Sequence, residues 1–178
     1  MYKIIIVSIL LLLPSCATQV TSIKSGENKV LEEGRGFILL GVETNRDLKQ
    51  IKISGPTDII LSSKDIKEGS NYLIVDLTAG EYIIDQVRLD NYWRVDFDDE
   101  EYWNFTITEG KINYVGHLEL TRRGKWSPWT RTELVNRSSE ALEFLESSYA
   151  TLLKNNPIIY EGPGEDRFYE FLNEMKGK

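Results

Sequence analysis

Asp96, Asp98, Asp99, Glu100 and Glu101 place five carboxylates within six residues. Several carboxylate oxygens on one loop are what a hard cation such as calcium takes, so Asp96, Asp98 and Asp99 are the candidate metal ligands. The run lacks the glycine and the alternating spacing of an EF-hand loop, and a solvated acidic turn between Trp93 and Trp103 is the simpler reading. A glycosidase acid/base pair needs two carboxyls ~5–9 Å apart across a sugar, an arrangement that neighbours on one turn do not set up. His117 is the only histidine. It has no Gly-x-Ser-x-Gly or His-x-x-x-His motif to work with, and on an alternating strand it is expected to point outward. Trp93, Trp126 and Trp129, with Tyr92, fall in irregular segments. Aromatic rings exposed together would stack on sugars or meet a partner protein, whereas Trp103 lies on an inward phase and belongs to the core. No residue is expected to be catalytic, and no motif asks for a cofactor.

The elements that must position these residues are mostly strands. Phe37 to Val42 is apolar on both faces, as a central strand would be. Ile51 and Ile53 alternate with Gln50 and Lys52 until Gly55-Pro56 breaks the run, and Leu73, Val75 and Leu77 share one side. Trp103, Phe105 and Ile107 alternate up to Glu109-Gly110, the clearest hairpin signal in the chain. The returning strand is expected to turn Ile112, Tyr114, Leu118 and Leu120 to one face, and Asn113, His117 and Glu119 to the other. After Trp129 the period changes. Ala141, Leu142, Leu145, Tyr149, Leu152 and Leu153 recur at helical spacing, with Asn136 or Ser138 placed to cap, until Asn155-Asn156-Pro157 ends the helix. Ile158 to Tyr160 reads as a short edge strand. Phe168, Phe171, Leu172 and Met175 mark a last amphipathic helix. Short strands at this spacing, with no helix between them, predict an antiparallel β-sandwich over residues 34–132, and residues 133–178 a helical extension packed on it.

The chain has 178 residues and a formal net charge of -7. Without residues 1–15 it keeps 20 basic residues against 28 acidic ones. That balance argues against nucleic acid, whose phosphates call for clustered Lys and Arg, and no basic patch for anionic lipid is expected. Cys16 is the sole cysteine, which excludes an internal disulfide and a cysteine zinc site.

At the N-terminus, Lys3 is followed by the apolar run Ile4 to Leu13, about half the ~20 residues a membrane-spanning helix requires. Leu13-Pro14-Ser15-Cys16 then resembles a bacterial lipobox. The resemblance implies that residues 1–15 are a signal peptide and that Cys16 carries lipid. The acyl chains, at ~0.8 kcal/mol per buried methylene, would then anchor the protein to a membrane. Ala17 in place of Asp is similar to the pattern sorted to the outer membrane. Residues 16–33 are polar and small, and are expected to form a flexible tether.

Two further stretches resemble parts of prealbumin-like, carboxypeptidase-regulatory-type sandwiches of small bacterial lipoproteins. Asp76-Leu77-Thr78-Ala79-Gly80-Glu81-Tyr82-Ile83-Ile84 is similar to their Leu-x-Pro-Gly-x-Tyr strand-turn-strand, with Ala79 where proline is usual. Phe105 to Gly116 is similar to the hairpin that follows. These motifs are structural, so the resemblance implies a prealbumin-like fold and a non-enzymatic protein, with no catalytic residue to carry over. The expectation is a lipid-anchored envelope protein that binds an envelope protein or polysaccharide or assists envelope assembly. The alternatives are a carbohydrate-binding or hydrolytic protein using the Trp-rich loops and residues 96–101, and a calcium-dependent binding domain.

Overall fold

The computed structural model describes residues 17–27, 29–97, 100–124 and 129–176. Cys16, Asp98, Asp99, Trp126 and the expected signal peptide lie outside the described residues. In chain order the strands begin with β1 (Thr18–Val20), β2 (Arg35–Thr44), β3 (Gln50–Ser54), β4 (Ile59–Ser62), β5 (Gly69–Thr78), β6 (Gly80–Arg88) and β7 (Arg94–Asp96). The short helix α1 (Glu100–Trp103) precedes β8 (Asn104–Ile107), β9 (Ile112–Arg122) and β10 (Thr130–Val135). Then come α2 (Ser138–Ser148), α3 (Ala150–Asn155), β11 (Ile158–Tyr160) and α4 (Phe168–Lys176).

The protein is mainly β, with two sheets. The first runs β1-β4-β3-β6-β7, with β8 sharing an edge of β6, and the second runs β10-β9-β2-β5, with β11 sharing an edge of β9. Both are mixed, which corrects the expectation of a purely antiparallel architecture. β1 lies parallel to β4, and β2 and β11 lie parallel to β9. The cause is at two turns, the second of which reads as a hairpin in sequence. Thr78-Ala79-Gly80 passes the chain from the second sheet to the first, and Thr108-Glu109-Gly110 passes it back, so neither closes a ladder between its own flanking strands. Gly110 has φ +68°, a conformation costly for other residues. At the second crossing Asn113, wholly buried, replaces the missing ladder. Its Oδ1 accepts from the Thr108 amide at 2.9 Å, and its Nδ2 donates to the Phe37 carbonyl at 2.9 Å and the Thr108 carbonyl at 3.2 Å.

One core lies between the sheets, where Ile38, Leu40 and Val42 of β2 and Val115, Leu118 and Leu120 of β9 meet Ile51, Ile53, Ile84 and Phe105. A second lies on the far side of the second sheet, where Phe37, Leu39, Ile74, Ile112 and Tyr114 are covered by Ala141, Leu145, Leu152 and Tyr169. β2 is therefore buried on both faces, which is why Phe37 to Val42 is uniformly apolar. Tyr149 interrupts the expected single helix with φ -139°, leaving α2 and α3 as separate segments. The Tyr149 hydroxyl instead donates to the Ile23 carbonyl at 2.6 Å.

β9 does not keep one phase. Leu39 pairs with Tyr114 but Gly41 pairs with His117, so Val115 and Gly116 oppose Leu40 in a β-bulge, with Gly116 at φ +111°. The extra residue reverses which side chains face which core. Ile112 and Tyr114 turn to the helices while Leu118 and Leu120 turn to the other sheet, correcting the expectation that all four share a face.

The start of the described chain is also anchored, correcting the expectation of a free tether through residue 33. Thr18 to Val20 pairs with Ile59 to Leu61, the Ile23 amide donates to the Ile74 carbonyl at 2.8 Å, and the Ile23 side chain is buried. Lys29 and Arg35 both pair with Asp76. The physical reason is that β4 would otherwise present an unpaired edge, and Val20 and Ile23 supply apolar area in an otherwise polar run.

Candidate functional site

Four stretches of chain meet at the end of the sheets where β2, β6 and β9 finish. Asn45 exchanges two hydrogen bonds with the Arg122 backbone, at 3.0 and 3.2 Å, tying residues 44–49 to the end of β9. The Lys49 amide donates to the Arg88 carbonyl at 2.9 Å, and its Nζ donates to Asn91 at 2.5 Å. Lys67 pairs with Asp47 at 3.1 Å, bringing in residues 62–69. Arg122 joins this set to residues 88–94: its guanidinium lies 4.5 Å from the Trp93 ring and 3.6 Å from an Asp90 oxygen.

The charge at this end runs opposite to the rest of the protein. Residues 44–49, 62–69, 88–94, 122–124 and 129–131 hold nine of the chain's 21 Lys and Arg but only four of its 28 Asp and Glu. The Asp90 carboxyl is held below the usual carboxylate range above all by the Tyr92 amide; burial, next in size, opposes this, and the Trp93 amide and the Arg122 and Arg46 cations add to the lowering. Arg122 is almost wholly enclosed, with 1% of its side chain exposed. A buried guanidinium over an indole face is attracted by the ring's quadrupole, so Arg122 and Trp93 form a fixed base for the loops above them.

The predicted aromatic candidates come to this rim and divide by exposure. Trp93 is 38% exposed and is engaged by Arg122, whereas Tyr92 is 90% and Trp129 78% exposed. Trp129, with Thr121, Arg123, Thr130 and Arg131, lines a cleft of about 410 Å³. Arg131 is oriented by Glu133, which takes its Nε at 3.0 Å and its Nη2 at 2.8 Å. Trp103 is buried and stacks on Phe97 with ring centroids 3.9 Å apart.

Asp96 borders this end on the β7 edge, where its carboxylate accepts from Gln86 at 2.5 Å and from Arg94, one of the nine cations, at 2.9 Å. Among the described residues no three side chains are grouped to hold a metal ion. A larger cleft of about 500 Å³ between α2, α3 and α4 is floored by Leu142, Leu153, Tyr169 and Leu172, and its lining is mainly helix packing.

His117 departs most from its expected place. It is wholly buried: it lies on the face opposite Leu118 and Leu120, as expected, but Tyr72 and the helix layer cover that face in place of solvent. Its ring meets Tyr72 edge-on at 5.4 Å, Tyr72 stacks on Phe144, and neither ring nitrogen has a hydrogen-bond partner among the described residues. Arg137 nearby holds Glu43 at 2.8 Å, Glu119 at 2.5 Å and Glu140 at 3.5 Å. Burial first, then the Arg137 cation, push His117 below the usual histidine range, outweighing the opposite pull of the three carboxylates.

The neutral form is thus favoured by folding. As pH falls below about 6.5 the unfolded chain takes up a proton that the folded chain refuses, so stability is lost through that window toward the folded value. We expect the melting temperature to fall between about pH 7.5 and pH 5.5, and to fall less in His117→Phe, which keeps every other titrating group. Parallel curves for the two proteins would contradict this.

The cationic cluster corrects the expectation of no basic patch, although Arg122, Arg123 and Arg131 have no acidic residue between them in sequence. Its size was hidden, because the loops that complete it are far apart in sequence. No protein-family model, no curated protein and no solved structure matches the chain. The class is set by the molecule itself: a mainly β protein of two mixed sheets, with helices on one face and a basic, aromatic rim at one end. Among its described residues no helix is long and apolar enough to cross a membrane.

Proposed function

We propose that the chain is a lipid-anchored, non-enzymatic binding module of a bacterial envelope, held at Cys16 in the outer membrane and working through the basic aromatic rim. The observation that carries this is the concentration of nine cations and two exposed aromatic rings at one end of an acidic protein. Charge separated this way steers an anionic partner to one face. The direction of the first strand supports it. β1 runs parallel to β4, whose last residue, Ser62, enters the rim, so the start of β1 points away from the rim. Only Ala17 separates Cys16 from β1, which puts the anchor on a short leash and leaves the rim directed outward from the bilayer.

The two sheets form, on this reading, a prealbumin-like sandwich. Their shared core favours it, as does Tyr82, whose hydroxyl donates to the Thr78 carbonyl at 3.0 Å across the Ala79-Gly80 turn.

Two changes test the proposal. Cys16→Ala should move the protein from the membrane to the soluble fraction, and unchanged retention would contradict the anchor. The Tyr92→Ala, Trp129→Ala double variant should weaken binding to lipid-stripped envelope fragments by about tenfold or more, as loss of two exposed anchors does at other interfaces. Equal binding by variant and wild type would remove the rim from the account.

A further inference from the structure

We infer that the ligand of the rim is an acidic polysaccharide, with its pyranose rings on Trp129 and Tyr92 and its carboxylates on Arg123 and Arg131. The inference rests on the rim being the binding face and adds the chemical class of what it binds. Trp129, 78% exposed, stands at a cleft of about 410 Å³, within the range that takes a small ligand or a few units of a longer one. An indole face suits the C–H face of a sugar ring, and Tyr92, 90% exposed, supplies a second such surface on the same end.

The cations distinguish an acidic sugar from a neutral one. Arg123 makes no ion pair with a described carboxylate, and the Glu133 fork on Arg131 uses Nε and Nη2, leaving Nη1 for another acceptor. A neutral glycan would leave Arg123 unmatched in the bound state, whereas a carboxylate on the ring matches it, and the open Nη1 of Arg131, with directional, charge-assisted bonds. Anionic lipid is the weaker fit, because the rim points away from the start of β1. Nucleic acid is weaker still for a protein whose remaining surface is strongly acidic.

The test is titration of the mature lipidated chain, in neutral detergent, with oligogalacturonate, dextran, polyphosphate and a single-stranded oligonucleotide, read by tryptophan fluorescence and calorimetry. Oligogalacturonate should bind, dextran should not, and binding should weaken as salt rises from about 50 to about 300 mM. Trp129→Ala and Arg123→Glu should each weaken it by about tenfold or more, while Arg167→Glu, just before α4, should not. A melting curve on each variant separates lost binding from lost folding. Equal binding of dextran, tighter binding of polyphosphate or the oligonucleotide, or no binding of oligogalacturonate would overturn the inference. If oligogalacturonate fails while envelope fragments still bind through Tyr92 and Trp129, the ligand class falls and the rim stands; if both fail, both fall.

Discussion

A chain ending at Val135 is expected not to fold cooperatively. Without residues 136–178, Phe37, Leu39, Ile74, Ile112 and Tyr114 lose the layer that covers them, and all five are wholly buried in the intact protein. At about 2 kcal/mol for each large apolar side chain, exposing them costs on the order of 10 kcal/mol, comparable to the entire stability of an ordinary domain. The loss goes beyond apolar area. β11 adds Ile158 to Tyr160 to the edge of β9, the Tyr114 hydroxyl accepts from the Arg137 amide at 3.1 Å, and the Tyr169 hydroxyl donates to the Ser138 carbonyl at 2.9 Å. The helices are thus part of the same cooperative unit as the sheets. Circular dichroism and thermal melting check this: the intact protein should melt in one transition, and the shortened chain should show none and bind a hydrophobic dye. A sharp transition in the shortened chain would mean that the sheets stand alone.

Gly41→Ala should destabilise the protein by about 3 kcal/mol, the upper part of the range for overpacking a filled core. A Cβ at that position would lie 2.1 Å from His117 Nδ1 and 2.7 Å from both Cε1 and Cγ of the ring. Gly41 has an ordinary negative φ, so the requirement for glycine is one of space. His117 is enclosed by Tyr72 and the helix layer and cannot withdraw without opening the second core. For a domain of this size the cost corresponds to a fall of about 6–12 °C in melting temperature. The contact is also testable as a pair. In a His117→Ala background the same Gly41→Ala change should cost much less, because the ring it strikes is gone. An unchanged cost in that background would show that the ring is not the obstacle.

Much of the local structure was legible. The two-sided burial of β2, the strand at Ile158 to Tyr160, the end of the helical run before Pro157 and the last helix from Phe168 all follow from periodicity and proline chemistry. Pairing was not legible, because adjacency in sequence was read as adjacency in a sheet. Gly80 and Gly110 mark turns correctly, but a turn residue does not say whether the next strand stays in the sheet or leaves it. The bulge at Val115-Gly116 was also hidden, since one additional residue inverts a strand without leaving a strong mark on composition. The burial of His117 has a different origin: it does lie opposite Leu118 and Leu120, but the helix layer covers that face. β1 was missed because three residues with one apolar side chain give no periodic signal, yet the edge of β4 is enough to order them.

The aromatic candidates were legible as a group, though not their relation to charge. Sequence placed Tyr92, Trp93 and Trp129 in irregular segments. The fold sets all three on one end and turns Trp93 into a platform for Arg122, leaving Tyr92 and Trp129 exposed. Net charge concealed the rest. A total of -7 points away from anionic ligands, but it is a sum over the whole chain, and the rim holds nine of its cations.

The central claim is that this rim is the working face. Its most direct test is a photo-crosslinking amino acid placed in turn at Tyr92, Trp129 and Phe171 in the full-length chain, illuminated in intact cells. Phe171 is 53% exposed on α4, in the helix layer that carries no part of the rim, and serves as the comparison. The account predicts high-mass adducts from positions 92 and 129, competed by added acidic polysaccharide, and none above background from 171. Adducts from 171 alone, or equally from all three positions, would contradict it.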